Sequence, residues 1–136
     1  MNNFFFHKKA KILIIDDEKD ICDSLGRILE RTGKYEVWTT TSPIKSISLA
    51  KKNHPDLILL DIIMPEMNGA IVAERLAKDP STKDIRIAFV TVLAGQKEIK
   101  KGYGLIGGHP FISKPFSKEK ILERIEFLLQ EPNYPH

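Results

Sequence analysis

Apolar and polar positions in this sequence form two alternating patterns. Five short segments rich in apolar residues are each followed by polar or turn-forming residues, which predicts β-strands at residues 11–15, 35–40, 57–60, 85–91 and 110–113. Between these segments apolar residues recur at helical spacing, as in the stripe Ile21, Leu25, Ile28 and Leu29. The alternation predicts an α/β fold in which five helices surround a doubly wound, five-stranded parallel sheet with right-handed crossovers.

Capping residues, glycines and a proline refine these elements. Helix starts are expected at four positions, namely Asp17 or a neighbour, Ser42, Asn68 and Ser117. Four glycines within residues 102–108 disfavour a helix interior, so a fourth helix within residues 95–108 is expected to be short or mobile. Because Pro110 has no N–H to donate, the last strand is expected to lie at an edge of the sheet.

The third predicted strand is a run of four apolar residues that leads directly into Asp61. An unbroken apolar strand is typical of the centre of a parallel sheet, where both faces are covered. Asp16, Asp17, Thr91 and Lys114 follow other predicted strands in the same way. Because the carboxyl ends of parallel strands meet at one edge, where such sheets bind ligands, we expect these side chains to lie close together.

Three carboxylates gathered at one edge of a sheet repel one another. Two like charges about 4 Å apart at an effective dielectric of about 20 cost about 4 kcal/mol, so Asp16, Asp17 and Asp61 require a cation. Mg²⁺ suits them, because it prefers oxygen ligands and is often held by one or two carboxylates together with waters and phosphate oxygens. With Lys114 nearby, the arrangement suits a carboxylate nucleophile that accepts a phosphoryl group.

Four motifs resemble those of the receiver domain of two-component response regulators. They are IIDDE (14–18), LLDIIMPEMNG (59–69), FVT (89–91) and SKPF (113–116). The resemblance covers about residues 11–129 and implies a flavodoxin-like, CheY-like fold with the strand order 2-1-3-4-5. It also implies a signalling protein that accepts a phosphoryl group from a histidine kinase or a histidine phosphotransfer protein.

The resemblance assigns metal-binding and phosphorylation roles to the acidic residues. Asp61 would be phosphorylated in a Mg²⁺-dependent reaction. Asp17 and Asp61 would bind Mg²⁺ directly, and Asp16 would bind it largely through water. The backbone carbonyl of Ile63 would complete the ligands that the protein supplies.

The resemblance also implies which residues contact the phosphoryl group and which change conformation in response to it. Thr91 and Lys114 would contact the phosphoryl group on Asp61. Thr91 and Phe111 would be the switch residues that alter the output surface, and Lys114-Pro115 would be a cis peptide. The domain would catalyse only its own phosphorylation and dephosphorylation, and would not be an enzyme for another substrate.

The sequence departs from the usual receiver pattern beside the site. Val92 stands where receivers usually have a very small residue, and residues 94–110 carry glycines where helix formers are usual. Ile63 and Leu93, two places after the phosphorylated residue and after the hydroxyl residue, would flank the path of an attacking water. Both are apolar and cannot orient a water, so a long-lived phosphoprotein is expected.

Composition sets limits on this interpretation. The 136 residues predict one receiver domain at 11–130, between an N-terminal extension at 1–10 and a C-terminal tail at 131–136. No apolar run approaches the roughly 20 residues of a membrane span, the first residues do not have the order of a signal peptide, and the single Cys22 fits a reducing cytoplasm. With a net charge of +3 and scattered lysines, direct nucleic-acid binding is not expected.

Two alternative functions belong to different classes. A phosphate-independent pseudo-receiver would act as a protein-binding module, but such domains normally lose an acidic residue or the lysine, and this chain keeps both. A hydrolase with an aspartyl nucleophile generally has a second acid two residues later, where Ile63 stands. A receiver would signal to a downstream protein target, or to a C-terminal output domain if the chain is part of a longer regulator.

Overall fold

The computed structural model describes residues 8–92 and 105–131. The strands within this part of the chain form a six-stranded sheet with the order β2-β1-β3-β4-β6-β5. The strands are β1 (Ala10–Ile15), β2 (Tyr35–Thr40), β3 (Leu57–Leu60), β4 (Arg86–Thr91), β5 (Leu105–Ile106) and β6 (His109–Ser113). The helices are α1 (Lys19–Glu30), α2 (Pro43–Asn53), α3 (Gly69–Lys78) and α4 (Lys118–Gln130).

The five longer strands are parallel and have the predicted order. β1 lies between β2 and β3, β3 pairs with β4, and β4 pairs with β6. If the two-residue β5 is set aside, this is the expected order 2-1-3-4-5. The doubly wound α/β architecture, with a flavodoxin-like, CheY-like sheet, is therefore confirmed.

The short or mobile fourth helix expected within residues 95–108 falls mostly outside the described residues. Residues 93–104 are not among them, whereas Leu105–Ile106 forms a strand antiparallel to β6. Gly107 and Gly108 join the two strands with φ values of +57° and +85°, which glycine adopts without steric cost. A two-glycine turn therefore closes a hairpin at the end of this segment.

The same hairpin makes the predicted edge position of the last strand wrong. β5 lies outside β6, and Pro110 stands opposite Leu105 in the antiparallel register. The missing N–H of Pro110 removes one hydrogen-bond donor from β6 but does not prevent β6 from pairing with β5. The glycine-rich segment supplies the short additional strand β5.

Helices cover both faces of the sheet, as predicted. On one face, α1 and α4 pack on alternate strand residues such as Ile12 and Ile14. On the other face, α2 and α3 pack on the intervening residues, such as Leu13 and Ile15. Because successive strand residues point to opposite faces, both sets are buried, which explains why the central strands are apolar throughout.

Three of the four expected helix caps are confirmed. The side chains of Ser42, Asn68 and Ser117 each accept a hydrogen bond from a backbone N–H in the first turn of the following helix. Helix α1 has Glu18 at its N-cap without a side-chain cap, while the carboxylate of Asp16 accepts a hydrogen bond from the N–H of Glu18. In the described part of the chain, no helix has the length and hydrophobicity needed to cross a bilayer.

Candidate functional site

Two aspartates are held at the carboxyl edge of the sheet by backbone hydrogen bonds to neighbouring strands. The N–H of Asp16 donates to the carbonyl of Thr40 at the end of β2, at 3.2 Å. The N–H of Asp61 donates to the carbonyl of Ile15 at the end of β1, at 2.9 Å. Each aspartate is thus placed one residue beyond a buried strand, and both are buried.

Lys114 and Thr91 are joined at the same edge. The N–H of Lys114 donates to the carbonyl of Thr91 at 2.9 Å, which continues the pairing of β4 with β6 past the last strand residue. Thr91 is buried, with 1% of its surface exposed. The Lys114-Pro115 peptide bond is cis, as the resemblance implied.

The Lys114 ammonium contacts three carboxylates. Its Nζ lies 2.6 Å from Asp16 Oδ2, 3.6 Å from Asp61 Oδ2 and 3.7 Å from Glu18 Oε1. Burial alone would lower the pKa of Lys114, but the hydrogen bond to Asp16 and the surrounding carboxylate charges raise its pKa above the ordinary value. The lysine is therefore charged, and neutralises part of the negative charge of the site.

Glu18 was not predicted to belong to the site. Its carboxylate is largely exposed but lies near enough to Lys114 to form an ion pair. The sequence carried a signal for it, because Glu18 directly follows the paired aspartates on the loop between β1 and α1.

The Asp61 carboxylate lies in an environment that opposes its ionisation. Burial and the charge of Asp16 raise the pKa of Asp61, and Lys114 and the N–H of Ile63 counteract this only in part. That N–H lies 3.3 Å from Asp61 Oδ1. A further positive charge would favour the ionised carboxylate.

The three predicted acidic residues are brought together in a way that could hold a metal ion. Asp16, Asp17 and Asp61 each offer a carboxylate oxygen, and these oxygens all lie within 4.8 Å of one another. Ligand oxygens stand about 2.1 Å from Mg²⁺, so two on opposite sides of the ion are about 4.2 Å apart. The spacing of the carboxylate oxygens therefore fits Mg²⁺. Each carboxylate would bind the ion either directly or through a water molecule.

Gly69 allows helix α3 to begin against the backbone of Asp61. The Gly69 N–H donates to the carbonyl of Ile62 at 2.7 Å. A Cβ at this position would clash with the carbonyl oxygen of Asp61 and lie 2.8 Å from the Cα of Ile62. The absence of a side chain at Gly69 thus allows the loop after β3 to hold Asp61 in place.

Two exposed apolar residues follow the site residues Asp61 and Thr91 in the chain. Ile63, two places after Asp61, and Val92, directly after Thr91, have 66% and 60% of their surface exposed. Phe111 is half-buried and packs against the cluster under α2 and α3, and its switch role remains a prediction. Leu93 lies outside the described residues.

Comparison with known proteins agrees with this geometry. A family model described as the response regulator receiver domain matches residues 12–126. The DNA-binding dual master transcriptional regulator RpaA of Synechocystis sp. is 37% identical over 120 residues, which cover 88% of this chain and 49% of that protein. The response regulator SaeR of Staphylococcus aureus is 37% identical over 119 residues, which cover 87% of this chain and 50% of that protein.

A solved structure extends the comparison to the fold. The non-phosphorylated HemR receiver domain of Leptospira biflexa has a TM-score of 0.76 and 33% identity, and the match covers 94% of this chain and 99% of that one. By contrast, the chain spans about half the length of the curated relatives it matches.

Proposed function

Because the chain belongs to the family of response regulator receiver domains, we propose that it accepts a phosphoryl group on Asp61 from a histidine kinase or a histidine phosphotransfer protein. The observation that carries this proposal is the pairing of Asp61 with a charged lysine in a cluster of three carboxylates. Family membership alone does not identify the acceptor, whereas the buried position of Asp61 beside Lys114 supports it.

The transfer follows from the groups at this edge of the sheet. A carboxylate oxygen of Asp61 attacks the phosphorus of a phosphohistidine, an O–P bond forms, and the P–N bond breaks with its electron pair left on the imidazole, which takes up a proton. Mg²⁺, when bound by Asp16, Asp17, Asp61 and the backbone carbonyl of Ile63, supplies positive charge for the phosphoryl oxygens. Lys114 moves from Asp16 towards the new phosphoryl group and pairs with it.

The switch and the output follow from the same assignment. The hydroxyl of Thr91 turns to the phosphoryl group, Phe111 changes its packing in response, and the output surface changes with it. The domain catalyses only its own phosphorylation and dephosphorylation. Its signal passes to a downstream protein or to a C-terminal output domain, without direct nucleic-acid binding by this domain, in the cytoplasm.

Acetyl phosphate and a histidine kinase provide the test against a phosphate-independent binding module. The purified chain should gain one acid-stable, base-labile acyl phosphate when Mg²⁺ is present, and none when EDTA replaces it. Intact-protein mass spectrometry measures the gain. Failure of both donors to modify a folded, Mg²⁺-saturated protein would favour the pseudo-receiver.

A further inference from the structure

Arg86 joins the start of β4 to the end of α4. Its Nη1 donates to the carbonyl of Leu128, and its Nη2 donates to the carbonyl of Glu131, the residue after the last helical position. These carbonyls are 42 and 45 positions away in the sequence. The contact lies at the edge of the sheet opposite to Asp61, because β4 begins at Arg86.

One of these carbonyls cannot be satisfied by the backbone in the usual way. In an α-helix the Leu128 carbonyl would accept from the N–H four residues later, but that residue is Pro132, which has no N–H. Leu128 is 4% exposed, so water is not a ready substitute. The Arg86 guanidinium supplies the missing donor.

The helix end also lacks a cation of its own. The last turn of α4 contains no basic residue, although the carbonyl end of a helix carries partial negative charge. Glu131 has extended backbone angles, φ −70° and ψ 149°, as expected before proline, so the chain turns away from the helix axis there. Arg86 thus supplies a positive charge and two N–H donors to the carboxyl end of α4.

Lys11 makes a related contact at the same edge. Its Nζ donates to the carbonyl of Asn53 at the end of α2, at 3.4 Å. The α2 end is also closed by His54 in the left-handed conformation, whose N–H bonds to Ala50. Helix α2 is followed by strand β3, so its end is not the end of the domain. Lys11 therefore serves as the control, because it is a cation at a helix end from which the chain returns to the sheet.

We propose that Arg86 is a positioning residue that fixes where, and in which direction, the chain leaves the domain after Glu131. Any segment attached there starts from a point held to β4, the strand whose other end is Thr91. The proposal goes beyond phosphoryl transfer, because it concerns how the end of α4 is held against the sheet.

Hydrogen exchange across the whole chain tests the capping step. In Arg86→Gln, the amides of Gln130 and Glu131 should exchange roughly tenfold faster or more, while those of β1 and β3 change far less. Arg86→Lys, which keeps the charge but not the forked donor, should give an intermediate rate. Lys11→Gln should leave the α4 end unchanged.

A second substitution provides a rescue that general destabilisation does not predict. Pro132→Ala introduces the N–H that, if the helix continued, would donate to the Leu128 carbonyl. The double variant Arg86→Gln, Pro132→Ala should therefore regain at least part of the lost protection. Equal exchange in the wild type and Arg86→Gln, or no rescue in the double variant, would overturn the proposal.

Spin labels test the positional step directly. Nitroxides are attached to cysteines that replace Glu131 and Lys45, and Cys22 does not interfere because burial raises the pKa of its thiol to about 11. The distance distribution between the labels should be narrow with Arg86, and clearly broader with Arg86→Gln. A distribution of the same width in both proteins would show that Arg86 does not position the exit.

Discussion

Lys114 donates a 2.6 Å hydrogen bond to Asp16, a residue 98 positions away in the sequence. Both side chains are buried, with 9% and 3% of their surface exposed. The lysine thus binds Asp16 at the carboxyl end of β1, while its Nζ lies 3.6 Å from Asp61. The Lys114 ammonium is therefore closer to Asp16 than to Asp61, the proposed nucleophile.

Replacing Lys114 should therefore separate stability from metal binding. In Lys114→Gln the buried carboxylates lose their cation, and the free energy of unfolding in EDTA should fall by about 3 kcal/mol. Mg²⁺ should bind more tightly than in the wild type, because no ammonium competes for the same carboxylates. Urea unfolding in EDTA and Mg²⁺ titration by calorimetry measure the two effects.

The exposed ion pair of Lys34 with Glu126 supplies the control for this substitution. Their charged atoms are 3.4 Å apart and the side chains are 65% and 55% exposed, so Lys34→Gln should cost at most about 1 kcal/mol and leave Mg²⁺ affinity unchanged. Weaker Mg²⁺ binding by Lys114→Gln would contradict the proposed competition.

Asp17 should contribute to metal binding more than to stability. It is exposed, unlike Asp16 and Asp61, so Asp17→Asn removes a proposed ligand without leaving a buried group unpaired. The expected result is a Mg²⁺ dissociation constant that rises from the millimolar range by at least about tenfold. A titration followed by NMR measures it. Asp20→Asn, an exposed change in the first turn of α1, should bind Mg²⁺ like the wild type.

Gly69→Ala should disturb the loop that carries Asp61. The added methyl group would clash with the Asp61 carbonyl, so the free energy of unfolding should fall by about 3 kcal/mol, and phosphorylation by acetyl phosphate should slow. Gly26 is the matched control, because a Cβ there would make only ordinary contacts with the side chains of Thr39, at 3.6 Å, and Val37, at 3.9 Å. Gly26→Ala should be neutral or slightly stabilising, since alanine favours the helix. Equal effects of the two substitutions would refute the steric explanation.

Much of this fold could be predicted because the buried strands leave little choice. The apolar runs before Asp16, Asp61 and Thr91 suit only strands covered on both faces, and a parallel sheet then brings their carboxyl ends together. The close approach of Asp16, Asp17 and Asp61 follows from that topology. The strand order itself came from the family resemblance, because periodicity does not determine which strands are neighbours.

Other features depend on contacts that local patterns do not specify. The glycines of the segment before β6 indicated that a helix was unfavourable, but not that Gly107 and Gly108 would close a hairpin. Arg86 caps α4 through carbonyls that lie 42 and 45 positions away in the sequence. Local sequence patterns do not predict a contact over such a separation. Glu18 reaches Lys114 only because β1 and β6 end at the same edge of the sheet.

The apolar approach to Asp61 should make its phosphoryl group long-lived. Exposed Ile63 and Val92 cannot orient an attacking water, and Leu93 is expected to act with them, although it lies outside the described residues. The double variant Ile63→Asn, Leu93→Glu should shorten the phosphoprotein lifetime by on the order of tenfold. Val92→Ala should instead speed labelling by acetyl phosphate, because the entrance widens.

The decay of isolated phosphoprotein, followed by mass spectrometry, measures this lifetime. Ile63 and Val92 are exposed, so the single variants Ile63→Asn and Val92→Ala should unfold at nearly the wild-type temperature. If the wild type loses its phosphoryl group as quickly as the double variant, the apolar side chains do not control the attack of water.

The position of the phosphoryl group tests the central claim most directly. Asp61→Asn is compared with Asp56→Asn, a change at the opposite edge of the sheet, where the asparagine can still accept the hydrogen bond that Lys11 N–H donates to Asp56 at 2.7 Å. Both proteins are incubated with acetyl phosphate and Mg²⁺, and incorporation is measured by intact-protein mass spectrometry. We predict no phosphoryl group on Asp61→Asn and wild-type incorporation on Asp56→Asn, whereas labelling of a folded Asp61→Asn at the wild-type level would contradict the account.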